Sequence, residues 1–588
     1  MTPSPKALLA SPTAPWLAAA VMLVLCLPAL RVGWVADDYY HRAILHGKGA
    51  PAALDDPLRD LFVFVPDDAR ADTLRDVGVV PWWGDPDLSL GFLRPVTAAT
   101  HILDHRLWPD HPALHHAQSM LWFAAAVVLV GLTYRRIHGL TATAGLAVLL
   151  FALEDAHAMP IGWIANRNAT VALVFGLLAL CAHIEWRRRG QPVWLGAALT
   201  SFAIGLLAGE AVVGLLAYLV SWQLTMDKGG WPRRLAALIP YATLLAGWRL
   251  AYDALGYGCT GSDLYIDPAS EPLAFAGALV ERVPVMLGGL WSQASVDLWA
   301  VLDRPGRVVF LGGSVVLCAA LAVLLARLIR SAREARFWAL GTVLSLVPVA
   351  AAFPMNRLLL VAGIGAFGLL SMLAAEVGLL EMPPRDRRPW VRRTARALLV
   401  LHLPVAALLL LGSILFLPVF NAMFTAGARW APRDPELAAQ NLIFVTGHEF
   451  PSVYTYLIRL TDDGAPVPRR IAILGPMSAD VTVTREDEHT LVVDADDGWL
   501  RMSIDRLMRR ADAHFVRSQR VPTALFEAEI RRVSADGRPM TVAFEFRQPL
   551  SSPSHRWVAW RNGRLEGFPL PATGEASRLA KVPLVSLE

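Results

Sequence analysis

The densest local set of reactive side chains is Trp34-Val-Ala-Asp37-Asp38-Tyr39-Tyr40-His41. Adjacent carboxylates raise each other's pKa, so one can serve as a general base or the two can bind a divalent cation. The competing reading is a solvated helix end beside an aromatic belt. A second set is Leu153-Glu154-Asp155-Ala-His157-Ala-Met-Pro160-Ile-Gly-Trp163-Ile-Ala-Asn166-Arg167-Asn168. It crowds acids, a histidine, a tryptophan and an arginine between two apolar runs, where a plain connector needs few polar groups. It reads as functional, and Glu154 and Asp155 join Asp37 and Asp38 as candidate ligands of a divalent cation. Glu210 interrupts the apolar run from Leu195 to Trp222, and Asn356-Arg357 falls between two later runs. Ionisable residues in such places are functional candidates by default, although an arginine can also simply snorkel. The spacing of His101/His105 and His111/His115 puts paired rings on one helix face, as a metal would want, but Pro112 and the lack of an HExxH arrangement favour an ordinary amphipathic helix.

The elements that hold these residues follow from composition. The chain has 588 residues, of which 55% are hydrophobic and 18% charged, with a mean hydropathy of +0.43. Disorder is excluded, and so is an ordinary soluble globule, because many apolar runs are long enough to cross a bilayer. Such runs lie near residues 14–30, 117–133, 140–153, 169–186, 193–208, 211–226, 235–255, 307–329, 337–353, 358–379 and 396–421, predicting about eleven transmembrane helices. The first is read as an uncleaved helix rather than a signal peptide, since no small-residue cleavage site follows it. Residues 272–300 are apolar but contain Glu281, Arg282 and Pro284, which predicts an interfacial or re-entrant helix.

Basic residues occupy every second connection: Arg135-Arg136, Arg187 to Arg189, Lys228 to Arg234, Arg327 to Arg336 and Arg385 to Arg396. The positive-inside rule makes those connections cytoplasmic, which puts the N-terminus inside and both reactive segments, with the chain after Asn421, outside. Cys26, Cys181 and Cys318 lie in apolar runs and Cys259 does not, so neither a disulfide framework nor a CxxC metal site is available.

From about Arg429 the pattern changes to period-2 alternation, as in Val481-Thr-Val483, Leu491-Val-Val493 and Val542-Ala-Phe544-Glu-Phe546, with turn signals at Asp496-Asp-Gly498 and Asn562-Gly563. The expected architecture is therefore an α-helical polytopic membrane domain over 1–425, with a large first outer loop at 31–116, and a β-rich, sandwich-like extracytoplasmic domain over 430–588. The tail holds no recognisable catalytic pattern, and its scattered histidines, His448, His489, His514 and His555, read as core or surface residues.

Taken in order, these pieces resemble the membrane region of the tetratricopeptide-repeat O-mannosyltransferases and their bacterial relatives, within the GT-C superfamily. The resemblance covers roughly residues 30–380. It rests on Asp37-Asp38 after the first span and on Leu93-Arg94-Pro95-Val-Thr97, similar to "YRPLT". It continues through Leu114-His115-His116-Ala-Gln118 and through Ala156-His157-Ala-Met-Pro-Ile-Gly-Trp163-Ile-Ala-Asn166-Arg167, similar to "HPIHTEAVAWIAGR". Gly209-Glu210 stands where the family has Lys-Glu, and Asn356-Arg357 where it has Glu-Arg. The chain departs from the family in lacking the repeats, in rearranging "HPIHTE" and in lacking the Lys of Lys-Glu.

The resemblance implies a glycosyltransferase that moves a sugar from a polyprenyl-phosphate carrier to a protein, glycan or lipid acceptor on the outer side of a bacterial inner membrane. Asp37 and Asp38 would be catalytic, with Arg94, His157, Trp163, Arg167, Glu210 and Arg357 binding substrate or phosphate. A divalent cation is a candidate cofactor, membrane lipids surround the chain, and no nucleic-acid partner is expected. The alternative is a transporter or flippase of a lipid-linked or polar substrate, which should show inverted repeats and midplane charges rather than polar groups gathered at one face. A membrane-anchored binding protein would need far fewer spans.

Overall fold

The computed structural model describes residues 4–48, 56–380, 383–462, 464–583 and 586. Within the expected first loop, 49–55 therefore lie outside the described residues. The chain divides into two compact units: one holds Met1–Gly33, Leu93–Leu255 and Asp267–Phe416, and the other Trp34–Phe92, Gly256–Ile266 and Leu417–Glu588.

The first unit is helical. Among the described residues of the whole chain, eight helices are long and apolar enough to cross a membrane, nine if a pair bent by 52° at Ala142–Ala152 and Asp155–Gly162 is one span. This is an integral membrane protein. The same test does not reach the expected count of about eleven: the runs near 193–208, 211–226 and 337–353 form shorter helices, Pro192–Ala208, Glu210–Thr225 and Arg333–Val349, while Pro272–Ser292 passes it. Pro272–Ser292 lies within the run 272–300 read as interfacial or re-entrant. It is one continuous 21-residue helix with Pro284 inside it, apolar and long enough to span. Its charge at Arg282 is accommodated, since Nη1 donates to the Ala350 carbonyl at 3.0 Å.

The second unit is mostly β. Six antiparallel strands run in the order 576–579, 481–485, 490–495, 539–546, 526–533, 520–522. The alternation read in the sequence is their buried face: Val481, Val483, Leu491, Val493, Val542 and Phe544 are all fully buried. A four-stranded sheet ordered 564–567, 555–561, 441–447, 470–476 is mixed: strand 441–447 is parallel to both its neighbours, and 564–567 is antiparallel to 555–561. The strands Asn441–Gly447 and Arg470–Pro476 are joined through the helix Glu449–Thr461. A purely antiparallel sandwich is thus only part of the tail. Strands in a parallel layer are covered on both faces and read as continuous apolar runs, as Leu442-Ile-Phe-Val445 and Ile471-Ala-Ile-Leu474 do, so period-2 reasoning passes over them. A small sheet of Val63–Val65, Ser89–Gly91 and Gly258–Thr260 completes this unit.

Candidate functional site

In the helical unit, pieces remote in sequence come together. Pro95 opens the helix Pro95–Leu107 at its first turn, where a missing N–H costs nothing. Thr97 anchors that helix by donating to the Ala208 carbonyl at 2.7 Å. Arg94, just before the helix, is thereby set against Glu210, just after Ala208. Its Nε and Nη2 lie 2.8 and 2.7 Å from Glu210 Oε2, across 116 residues of sequence. The Tyr252 hydroxyl reaches Oε1 of the same carboxylate at 3.4 Å. The pair is part-exposed, Arg94 at 15% and Glu210 at 32%.

Trp163, Asn166 and Arg357 form a second cluster. Arg357 Cζ sits 5.5 Å from the Trp163 ring centroid, and its Nη1 donates to Asn166 Oδ1 at 3.3 Å. Asn356 fixes the short helix that carries Arg357: its N–H donates to Asp297 at 3.1 Å, and its side-chain oxygen accepts from the Val296 N–H at 2.8 Å. Burial holds the Asp297 carboxyl above its usual range, with the Asn356 N–H and the nearby Arg357 charge opposing that rise.

Arg167, expected to bind substrate or phosphate, is instead fully buried. Its guanidinium pairs with Asp104 at 2.7 Å and donates to the His115 carbonyl at 2.8 Å, Ser119 at 2.9 Å and Thr100 at 3.3 Å, and also to Gln118. Every edge of the fork is engaged in tying Pro95–Leu107 and Pro112–His138 to its own helix, so Arg167 is a structural cation and Trp163 pairs with Arg357. Asp104 was missed because it stands among the histidines of that loop. Burial pushes its carboxyl up to about 6, and Arg167 pulls the other way.

His157 is likewise a core residue, fully buried with its ring 4.6 Å from that of Phe151 and 5.0 Å from that of Phe123. The histidine run does not converge: His115 Nδ1 faces Asp104 at 3.5 Å, while His116 Nε2 meets the Gly33 carbonyl at 2.7 Å. Glu154 is buried against Gln293, whose amide nitrogen lies 2.9 and 3.0 Å from its two oxygens, and against His402 Nδ1 at 3.4 Å. Among the described residues, no group of His, Cys, Asp and Glu has the arrangement of a metal site. Gln293 and His402 carried no signal in the sequence beyond being polar at the ends or within apolar runs.

Asp37 and Asp38 belong to the second unit and open the helix Asp37–Leu45. The two carboxylates differ in environment. Asp38 is 1% exposed and accepts the Val35 N–H at 2.8 Å, closing the turn that starts its own helix. Asp37 is half-buried and accepts the Tyr454 hydroxyl at 2.6 Å. The turn before them is strained: Ala36 has φ 46° and ψ −118°, a conformation that an L-residue adopts only when its surroundings impose it. Asn421 imposes it, accepting the Ala36 N–H at 3.2 Å and donating to the Trp34 carbonyl at 2.7 Å.

No protein-family model matches this chain, and no curated protein matches it. Solved structures with a similar chain trace include an archaeal oligosaccharyltransferase and the protein ArnT. The oligosaccharyltransferase of Archaeoglobus fulgidus tethered to an acceptor peptide with an NVT sequon matches at 11% identity and a TM-score of 0.41, over 78% of this chain and 64% of that one. The same archaeal enzyme, AglB, in complex with an inhibitory peptide and a dolichol-phosphate gives 10% identity and a TM-score of 0.37, over 79% of this chain and 65% of that one. ArnT from Cupriavidus metallidurans bound to undecaprenyl phosphate gives 14% identity and a TM-score of 0.38, over 76% and 85%. This chain spans a little under two thirds of the archaeal enzyme, at 64%. Likenesses of this size carry no argument about its chemistry.

Proposed function

We propose that the chain is a glycosyltransferase of the GT-C type that uses a polyprenyl-phosphate sugar donor, with the N-terminus in the cytoplasm and the tail outside a bacterial inner membrane. The observation that carries the reading is Arg357. Unlike Arg167, it has an open edge: Nε meets Met355 Sδ and Nη1 meets Asn166, while Nη2 carries no protein hydrogen bond among the described residues. A planar cation over the face of Trp163 suits a lipid-linked phosphate, since the ring packs on apolar chain and the fork accepts phosphate oxygens bidentately. Arg94 and Glu210, paired although far apart in sequence, form the second polar element of the same unit and are assigned to the sugar-phosphate.

In the reaction proposed, an acceptor hydroxyl attacks the anomeric carbon as the bond from that carbon to the phosphate oxygen breaks. The hydroxyl proton passes to a carboxylate, and the pyrophosphate-free lipid phosphate leaves with its charge held by arginine. The base is Asp37, because Asp38 is committed to its own helix turn. Glu154 is engaged by Gln293 and His402 and shares a side-chain hydrogen bond with Asp155, and no step passes through a divalent cation.

The test is transfer from polyprenyl-phosphate hexoses presented in nanodiscs, read as release of polyprenyl phosphate. Arg357→Lys keeps the charge and removes the fork, and we expect donor KM to rise roughly tenfold or more with the protein still folded. Unchanged donor dependence would remove Arg357 from the donor site.

A further inference from the structure

The tail holds no catalytic pattern of its own, yet its helix Glu449–Thr461 reaches the carboxylate assigned as base. Resting on that assignment, we propose that Tyr454 is the positioning residue of Asp37, so that the tail takes part in the reaction. The contact is short and specific: the Tyr454 hydroxyl donates to Asp37 Oδ1 at 2.6 Å, joining positions 417 residues apart. Tyr454 is itself held, with its ring edge-on to Phe424 at 4.9 Å and Phe424 packed on Phe450 at 4.8 Å. The backbone on the other side of Asp37 is held by Asn421 through the strained Ala36 turn. Asn421 also donates to the Tyr39 hydroxyl at 3.3 Å.

A carboxylate at the start of a helix on a strained turn has two soft coordinates, the turn and its own χ angles. Asn421 restrains the first and Tyr454 the second. The hydroxyl also favours the ionised form of Asp37, which a general base must hold at neutral pH. Burial and the adjacent Asp37 and Asp38 charges push the Tyr454 hydroxyl well above its usual range, so it stays a donor across the working pH. Strain retained on one side of a carboxylate and a dedicated donor on the other are the marks of a group kept in place for use.

Tyr454→Phe removes one oxygen and leaves the ring packing. In the nanodisc assay we expect kcat to fall roughly tenfold with donor KM unchanged, and the acid limb of the kcat profile to move up, because the hydrogen bond favouring the charged form is gone. An infrared titration of the Asp37 carboxyl, isolated by subtracting the Asp37→Asn spectrum, should shift the same way without substrate. In the Asp37→Asn background Tyr454→Phe should cost nothing further. If Asp37→Asn abolishes transfer while Tyr454→Phe leaves kcat, pH profile and carboxyl titration as in the wild type, the positioning role is overturned and the base stands. If Asp37→Asn transfers normally, the base falls and this inference with it.

Discussion

Arg167 is the residue on which a reading of sequence and a reading of structure part most sharply, and Arg167→Lys separates them. As a phosphate ligand, Arg167 would lose donor affinity on replacement; as a structural cation, it would lose stability. The guanidinium is fully buried and serves Asp104, the His115 carbonyl, Ser119, Thr100 and Gln118. An ammonium has three donors and no planar fork, so it can keep Asp104 and at best two others. Two or three buried acceptors then lose a partner. At about 1 kcal/mol per neutral hydrogen bond, with part of the desolvation penalty added, the cost is about 2–4 kcal/mol. Arg167→Met should be worse, about 3–5 kcal/mol, because it strands the Asp104 charge in the interior. The assay is thermal: a thiol-reactive dye added to protein in nanodiscs reports opening through the buried Cys26 and Cys181, which are both in this unit. A chain this large need not unfold in one step, so the quantity compared is the midpoint, expected to drop by several degrees in Arg167→Lys and further in Arg167→Met. Donor KM of the protein that remains folded should match the wild type. A Lys variant with an unmoved midpoint and a raised donor KM would refute the structural role and return Arg167 to the phosphate.

In the tail, His448 is buried with Nε2 3.2 Å from Asp505 and Nδ1 3.3 Å from Glu449, while Trp83 donates to Glu449 at 3.1 Å. Burial alone would lower the His448 pKa, but the two carboxylates outweigh it and the net shift is upward; burial raises Glu449 as well. Folded values above unfolded ones mean that this cluster stabilises fully below the unfolded pKa and loses that contribution as pH rises through the folded one. Amide exchange of the helix Glu449–Thr461 should therefore quicken as pH rises above the ordinary imidazole value of about 6.5, by more than base catalysis of exchange accounts for, and His448→Gln should flatten the dependence; a flat wild-type profile would contradict the charge pairing. The proposed sidedness is tested by a thiol reagent that cannot cross the membrane, which should label a cysteine at exposed Val516 in intact cells but one at Arg189 only after lysis. The reverse pattern would invert the topology.

The membrane character of this chain and its β-rich tail were legible in the residues alone, because apolar run length and period-2 alternation are local properties. What the polar residues do with one another was not. Trp163 and Arg167 stand four residues apart in the sequence; the structure breaks the segment into short turns and gives the Trp163 ring to Arg357, remote in the chain. Asp104, hidden in a histidine-rich loop, became the partner of Arg167 only through the packing of three helices, and Glu154 met Gln293 and His402 in the same way. The difference between Asp37 and Asp38, identical neighbours in the sequence, depends on which oxygen meets Val35 and which meets a tyrosine 417 residues away. Residue type sets what a side chain can do, but a buried polar group must find a partner, and which partner is within reach is decided by the packing of distant segments.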